Sequence, residues 1–154
     1  MLDIIQRNLS AFGGSRWDDF KATLAPDAVY EDIATGQRAN GAADYVTSVQ
    51  RWKRAFPDLR ANWVGGFANG DRTVAEVEWE GTHTGRFDGP FGPMEATNKR
   101  GRVKAVLLCT LKNGKIVEAH HYFDLLTLLK QIGLAPGAGT FVPASPDLAS
   151  VPRW

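Results

Sequence analysis

A change of hydrophobic period along the chain predicts an α+β fold in one domain. Apolar residues recur at helical spacing over the first 56 residues and alternate over most of residues 59–124. The motifs NGDR and KNGK then join strand-like segments as tight hairpins, so the strands are antiparallel neighbours. Helices that precede such a curled sheet must cover one of its faces.

Each element has its own signal. Ile4, Ile5, Leu9 and Phe12 keep helical spacing up to Gly13-Gly14, and Ser15 is placed to cap a second short helix bearing Trp17, Phe20 and Leu24. Pro26-Asp27 breaks this helical pair, AVYEDI alternates as a short strand, and ATGQRANG reads as a loop. Residues 42–56 form a third helix with Tyr45, Val49, Trp52 and Phe56 on one face, ended by FPDL. Strands follow near 59–68, 72–82, 102–112 and 115–124, the middle pair interrupted by the glycine- and proline-rich excursion GTHTGRFDGPFGPMEATNKRG. A last helix spans 125–132. The domain is expected over 1–134, and 135–154 is a Pro/Gly-rich tail that packs along the surface or trails off.

Composition narrows the partners. Eighteen basic residues against 17 acidic ones leave a formal net charge of +1, which steers the chain toward neither nucleic acid nor an anionic membrane. A small molecule is the expected partner. The amino terminus lacks the pattern of a signal peptide, no apolar run approaches the roughly 18 residues of a membrane span, and a cytoplasmic location is expected. Cys109, the one cysteine, sits in the apolar run AVLLC and reads as a small core hydrophobe.

The segments DAVYEDIATGQRANG, RWKRAFPDL, WEGTHTGRF and above all NGKIVEAHHYFDLLTLLKQIG resemble the SnoaL-like polyketide cyclases and ester cyclases of the nuclear transport factor 2-like superfamily, over about residues 1–134. The resemblance implies a cone of three N-terminal helices packed on a curved, mainly antiparallel sheet that encloses a cavity. It implies a homodimer paired through the sheet's outer face, where Val106, Leu108 and Tyr122 fall. It also implies a catalytic acid/base at the position held here by His121, where the cyclases and the related limonene epoxide hydrolases carry an aspartate. The cyclases' glutamine and histidine fall on Ala105 and Leu107, and the epoxide hydrolases' arginine and second aspartate on Ala75 and Val77, so those sets are altered. Their tyrosine and asparagine pair matches Tyr30 and Asp32.

Strand alternation sorts the candidates by face. In the last strand Val117, Ala119, His121 and Phe123 share the apolar side, opposite Glu118, His120 and Tyr122. Ala75, Val77, Trp79, Gly81 and His83 share one side of an earlier strand, against Glu76, Glu78 and Glu80. With the apolar faces turned to the cavity, His121 enters it and His120 does not. Ala105, Leu107 and Phe123 then line the substrate site, and Trp52, Trp63 and Trp79 suit a flat ligand. His121 is the candidate general acid/base, since imidazole titrates near neutrality. Tyr30 orients a substrate oxygen, Asp32 polarises a water or holds His121, and His83 at the cavity mouth holds a carbonyl or phenol. The competing reading is structural for each: a core histidine, an edge tyrosine, an aspartate capping a turn. Asp124 directly precedes a helix and reads as its N-cap. No HxxxH, CxxC or phosphate loop occurs, so neither metal nor cofactor is expected.

Three functions fit this pattern. One is cofactor-free cyclisation or isomerisation of a small hydrophobic oxygenated substrate, with His121 removing a proton next to a carbonyl and Tyr30 stabilising the enolate. The second is hydrolysis of an epoxide or lactone. The third is a non-catalytic ligand-binding or dimerisation module.

Overall fold

The structure, a computed structural model, describes residues 1–89 and 92–135; the tail expected from residue 135 lies outside them apart from its first residue. Helices α1 (Leu2–Gly13) and α2 (Trp17–Ala22) open the chain. Strands β1 (Leu24–Asp32) and β2 (Gln37–Asn40) follow, then α3 (Ala42–Ala55), β3 (Arg60–Asn69) and β4 (Arg72–Thr82). A small hairpin of β5 (Phe87–Gly89) and β6 (Gly92–Met94) stands apart. Strands β7 (Arg100–Lys112) and β8 (Lys115–Phe123) and helix α4 (Leu125–Gln131) complete the domain. The main sheet is curved and six-stranded, in the order β2-β1-β8-β7-β4-β3. All of its neighbours are antiparallel except β1 and β8, which run parallel.

That parallel pair matters most for the site. It seats the first strand beside the last, with Tyr30 opposite Ala119 and Asp32 opposite His121. The expected short strand AVYEDI is longer, beginning at Leu24 and running through Pro26; the ladder's register slips between Leu24 and Val29, where a residue lacking an N–H can be accommodated. The expected loop ATGQRANG contains the edge strand β2, folded back on β1 through Gly36 at φ 69°. Ser15 does not cap α2. Arg16 occupies that position without a side-chain cap bond, because the Ser15 and Arg16 amides close the end of α1 on Phe12 O and Ala11 O.

One face of the sheet carries the core. Ile5, Leu9 and Phe12 of α1 and Tyr45 and Val49 of α3 pack with Ala75, Val77, Ala105, Leu107 and Ala119 of the strands. A second cluster joins Phe56, Phe87 and Val103 to Leu128, Leu129 and Ile132 around α4. Gly101 allows this approach: a Cβ there would lie 2.5 Å from Leu128 Cδ1. Alternation along β7 is unbroken, with odd-numbered residues from Gly101 to Leu111 buried. In β8 it is interrupted, since Leu111 pairs with Ile116 and Thr110 with Glu118, so Val117 is an extra bulged residue. Ile116 rather than Val117 is fully buried as a result. Beyond the bulge, Ala119, His121 and Phe123 keep the inner face.

The outer face is a charge ladder. Glu80 is bound by Arg60 and Arg100, Glu78 by Arg102 and Glu76 by Lys104. The Arg100 and Arg60 guanidiniums hold Glu80 down at about 2. Val106 and Tyr122 are the large exposed apolar residues on the neighbouring strands β7 and β8.

Lys53 links α1 to the end of α3. Its ammonium, buried within a helix end, donates three 2.9 Å hydrogen bonds, to the carbonyls of Gly13, Pro57 and Leu59. All three donors of the ammonium are used. Nothing in RWKRAFPDL distinguishes this lysine from the solvated Arg54 beside it.

Candidate active site

The helices and the concave sheet face enclose a cavity with an apolar wall. The cavity has a volume of about 60 Å³, room for several waters or a small ligand. Aromatic rings form much of the wall, including Phe12, Phe20, Tyr45, Trp52, Phe56 and Phe123. Among the described residues no Lys, Arg, Asp or Glu side chain lines it. Charge buried in such a wall costs heavily, so the cavity suits a neutral occupant.

His121 is the single imidazole in this wall, and it is 8% exposed. Two partners satisfy it. Trp79 Nε1–H donates to Nε2 at 2.9 Å, and Nδ1 lies 3.2 Å from the Tyr30 hydroxyl. Burial pushes the pKa of His121 down to about 4. The indole acts in the same direction, because an N–H cannot donate to a protonated nitrogen. The ring is therefore neutral at pH 7. Tyr30, 4% exposed, stacks on Tyr45 at 4.4 Å, and burial raises both phenols well above their ordinary value. His120 lies on the opposite face, between Glu31 and Glu118.

The other candidates are distributed as follows. Trp52, Trp79, Leu107 and Phe123 line the cavity with Tyr30 and His121; Ala105, Trp63, His83 and Asp32 do not. The Asp32 carboxylate is 1% exposed and does not bond His121. It accepts the Thr35 amide at 3.1 Å, closing the β1–β2 turn, and Trp52 Nε1 at 3.3 Å. Burial raises its pKa. Asp32 thus reaches the cavity only through the indole that it orients. His83 is wholly buried rather than placed at a mouth. It stacks on Phe56 at 5.0 Å and accepts the Thr97 amide at Nδ1, and among the described residues its Nε2 has no partner. Asp124 caps α4 by accepting Thr127 N at 2.9 Å. Cys109 is buried, its thiol pushed up by burial to about 12.

Two wall residues of note were outside the expected set. Tyr45 belongs to the apolar stripe of α3 already legible as Tyr45, Val49, Trp52 and Phe56, and the signal was its hydroxyl in that stripe. Asn8, a polar residue within the apolar face of α1, lines the cavity while its amide donates to Thr23 Oγ1 at 2.8 Å. Among the described residues no three His, Cys, Asp or Glu side chains cluster to hold a metal ion, and no helix is long and apolar enough to cross a membrane.

Comparison with known proteins agrees with this architecture. The family model described as SnoaL-like polyketide cyclase matches residues 3–132. A candidate SnoaL-like polyketide cyclase from Jannaschia sp. CCS1 superposes with a TM-score of 0.77 at 22% identity, covering 88% of this chain and 92% of that one. IdmH from Streptomyces antibioticus, a candidate polyketide cyclase, gives 0.73 at 24% identity over 85% of this chain and 96% of its own. A protein of ketosteroid isomerase-like fold from Catenulispora acidiphila, solved with trimethylamine, gives 0.71 at 20% over 86% and 93%. No curated protein matches the chain.

The neutral burial of His121 has a consequence for acid stability. A free histidine titrates near 6.5 and the folded residue near 4, so its contribution is fully present above pH 6.5 and is lost as the pH falls toward 4. The loss amounts to about 3 kcal/mol. Urea midpoints measured at about pH 7.5 and about pH 4.5 will fall further for the native protein than for His121→Gln, which cannot titrate. Equal falls would show that His121 is not held neutral.

Proposed function

We propose that this chain, which belongs to the SnoaL-like polyketide cyclase family, moves protons on a small, neutral, hydrophobic carbonyl compound, in a cyclisation or isomerisation that needs no cofactor. The observation that carries this reading is the Trp79–His121–Tyr30 chain in an otherwise apolar wall. Tyr30 gives its hydroxyl hydrogen to the carbonyl oxygen, which lowers the cost of removing a proton from the adjacent carbon. Neutral His121 takes that proton on Nε2, the Trp79 indole staying bonded to this nitrogen in the resting ligand complex and giving way only as the proton transfers. A base of low proton affinity suffices where a donor stabilises the enolate at the same time. The proton returns from His121 to another carbon in an isomerisation; in a cyclisation the enolate carbon attacks a second carbonyl, and the alkoxide formed there takes the proton from His121.

The geometry lends less to hydrolysis of an epoxide or lactone. Asp32 lies outside the cavity wall with both oxygens engaged, and among the described residues no arginine lines the cavity. A ligand carrier has one observation in its favour: the His121 lone pair is occupied by Trp79 in this structure. The proton-transfer test separates the carrier from the enzyme.

In D2O the protein should accelerate hydrogen exchange next to the carbonyl of the neutral bicyclic ketone 1-indanone, followed by proton NMR. His121→Ala should slow the catalysed exchange by about 10² to 10⁴, and His120→Ala should leave it within a fewfold. Binding of 1-indanone without exchange would favour the carrier; equal losses in both variants would remove His121 from the mechanism.

We further propose that the protein is a homodimer paired through the outer sheet face, where Val106 and Tyr122 are exposed. Light scattering at micromolar concentration should give twice the chain mass, and Tyr122→Glu should halve it. A monomer mass for the native protein would contradict the pairing.

A further inference from the structure

The two hydrogen bonds of His121 have a direction that its position alone does not supply. An indole Nε1–H can only donate, so the 2.9 Å contact makes Nε2 of His121 the acceptor. A neutral imidazole with an unprotonated Nε2 carries its one hydrogen on Nδ1. That nitrogen lies 3.2 Å from the Tyr30 oxygen, which is then the acceptor. The Tyr30 hydrogen is left over, and among the described residues no acceptor bonds it. It has the cavity to point into, since Tyr30 is part of the wall. With Nε2–H instead, the imidazole would confront the indole N–H, and Tyr30 would turn its hydrogen back onto Nδ1. One tryptophan decides between a hydroxyl that offers a hydrogen to the cavity and one that does not.

We infer that Trp79 is a positioning residue that fixes the tautomer of His121 and thereby makes Tyr30 an obligate hydrogen-bond donor to the ligand. The ligand class follows from the polarity of the chain: a neutral molecule that presents an acceptor oxygen, as a ketone, quinone or enone does. Three bonds polarised in the same sense reinforce one another, so the terminal hydroxyl is a better donor than an isolated phenol. This assignment of ligand class rests on the cavity being the site proposed above; the tautomer does not, because it can be read without any ligand. Trp79→Phe keeps an aromatic ring near Phe12, with which the indole makes an edge contact, and removes only the donor and part of the ring.

The test is nitrogen-15 NMR of the His121 ring at neutral pH, with the signal assigned by its loss in His121→Gln. The native protein should show a protonated Nδ1 and a pyridine-like Nε2. In Trp79→Phe the Nε2–H tautomer should become populated. The infrared carbonyl stretch of bound 1-indanone, shifted to lower frequency by Tyr30 in the native protein, should move back toward its free value in Trp79→Phe and in Tyr30→Phe. A native spectrum showing Nε2–H would overturn the inference by itself, whether or not the variant folds. So would a Trp79→Phe spectrum that keeps the native tautomer. A native Nδ1–H spectrum together with no 1-indanone binding would uphold the role of Trp79 and count against the ligand proposal instead.

Discussion

A buried imidazole is costly when a ring nitrogen goes unpaired, and most of this site spares His121 that cost, whereas Nε2 of the buried His83 has no partner among the described residues. Leaving one nitrogen unpaired in an apolar interior costs about 1 to 3 kcal/mol. His121 is satisfied on both sides, by an indole from β4 and a phenol from β1. The three side chains come from strands separated in sequence by 42 and 91 residues, so the bonds form only in the closed sheet. The sheet order makes that closure, and the parallel pairing of β1 with β8 is what delivers Tyr30.

The surrounding wall sets the terms for any chemistry. The described residues put no charged side chain in it, so among them recognition falls to shape, aromatic surface and a few hydroxyl and amide groups. His83 and Asp32 modify the wall from behind, His83 against Phe56 and Asp32 through the Trp52 indole. Outside, the ion-pair ladder of Glu76, Glu78 and Glu80 keeps the other face of β4 polar. The same strand thus carries a donor for the cavity and a charged surface, as period-two alternation allows.

Much of this was legible in the residue pattern, for physical reasons. The unbroken alternation of β7 and of Ala119, His121 and Phe123 marked which side faces the cavity, and the KNGK turn fixed their pairing. The bulge at Val117 was not legible, since a single extra residue leaves no signal in composition; falling before Ala119, it left the orientation of His121 unchanged. Strand β2 was hidden in a turn-rich segment because four edge residues are too few to show a period. Lys53 and the bond from Trp52 to Asp32 escaped for a different reason: their partners are backbone carbonyls and an indole supplied by tertiary structure, and the residue types alone give no account of them. The turn that Asp32 closes through the Thr35 amide is the structural role its position after the strand already offered.

The central claim is that the cavity holds a neutral carbonyl compound by a hydrogen bond from Tyr30, with His121 behind it. A crystal structure of the native protein soaked with 1-indanone tests this most directly. The account predicts the ketone oxygen within about 3 Å of Tyr30 Oη, inside the aromatic wall, with Nδ1 of His121 still bonded to that hydroxyl. A ketone bound outside the cavity, or one whose oxygen is held by another donor while Tyr30 bonds only to His121, would contradict it.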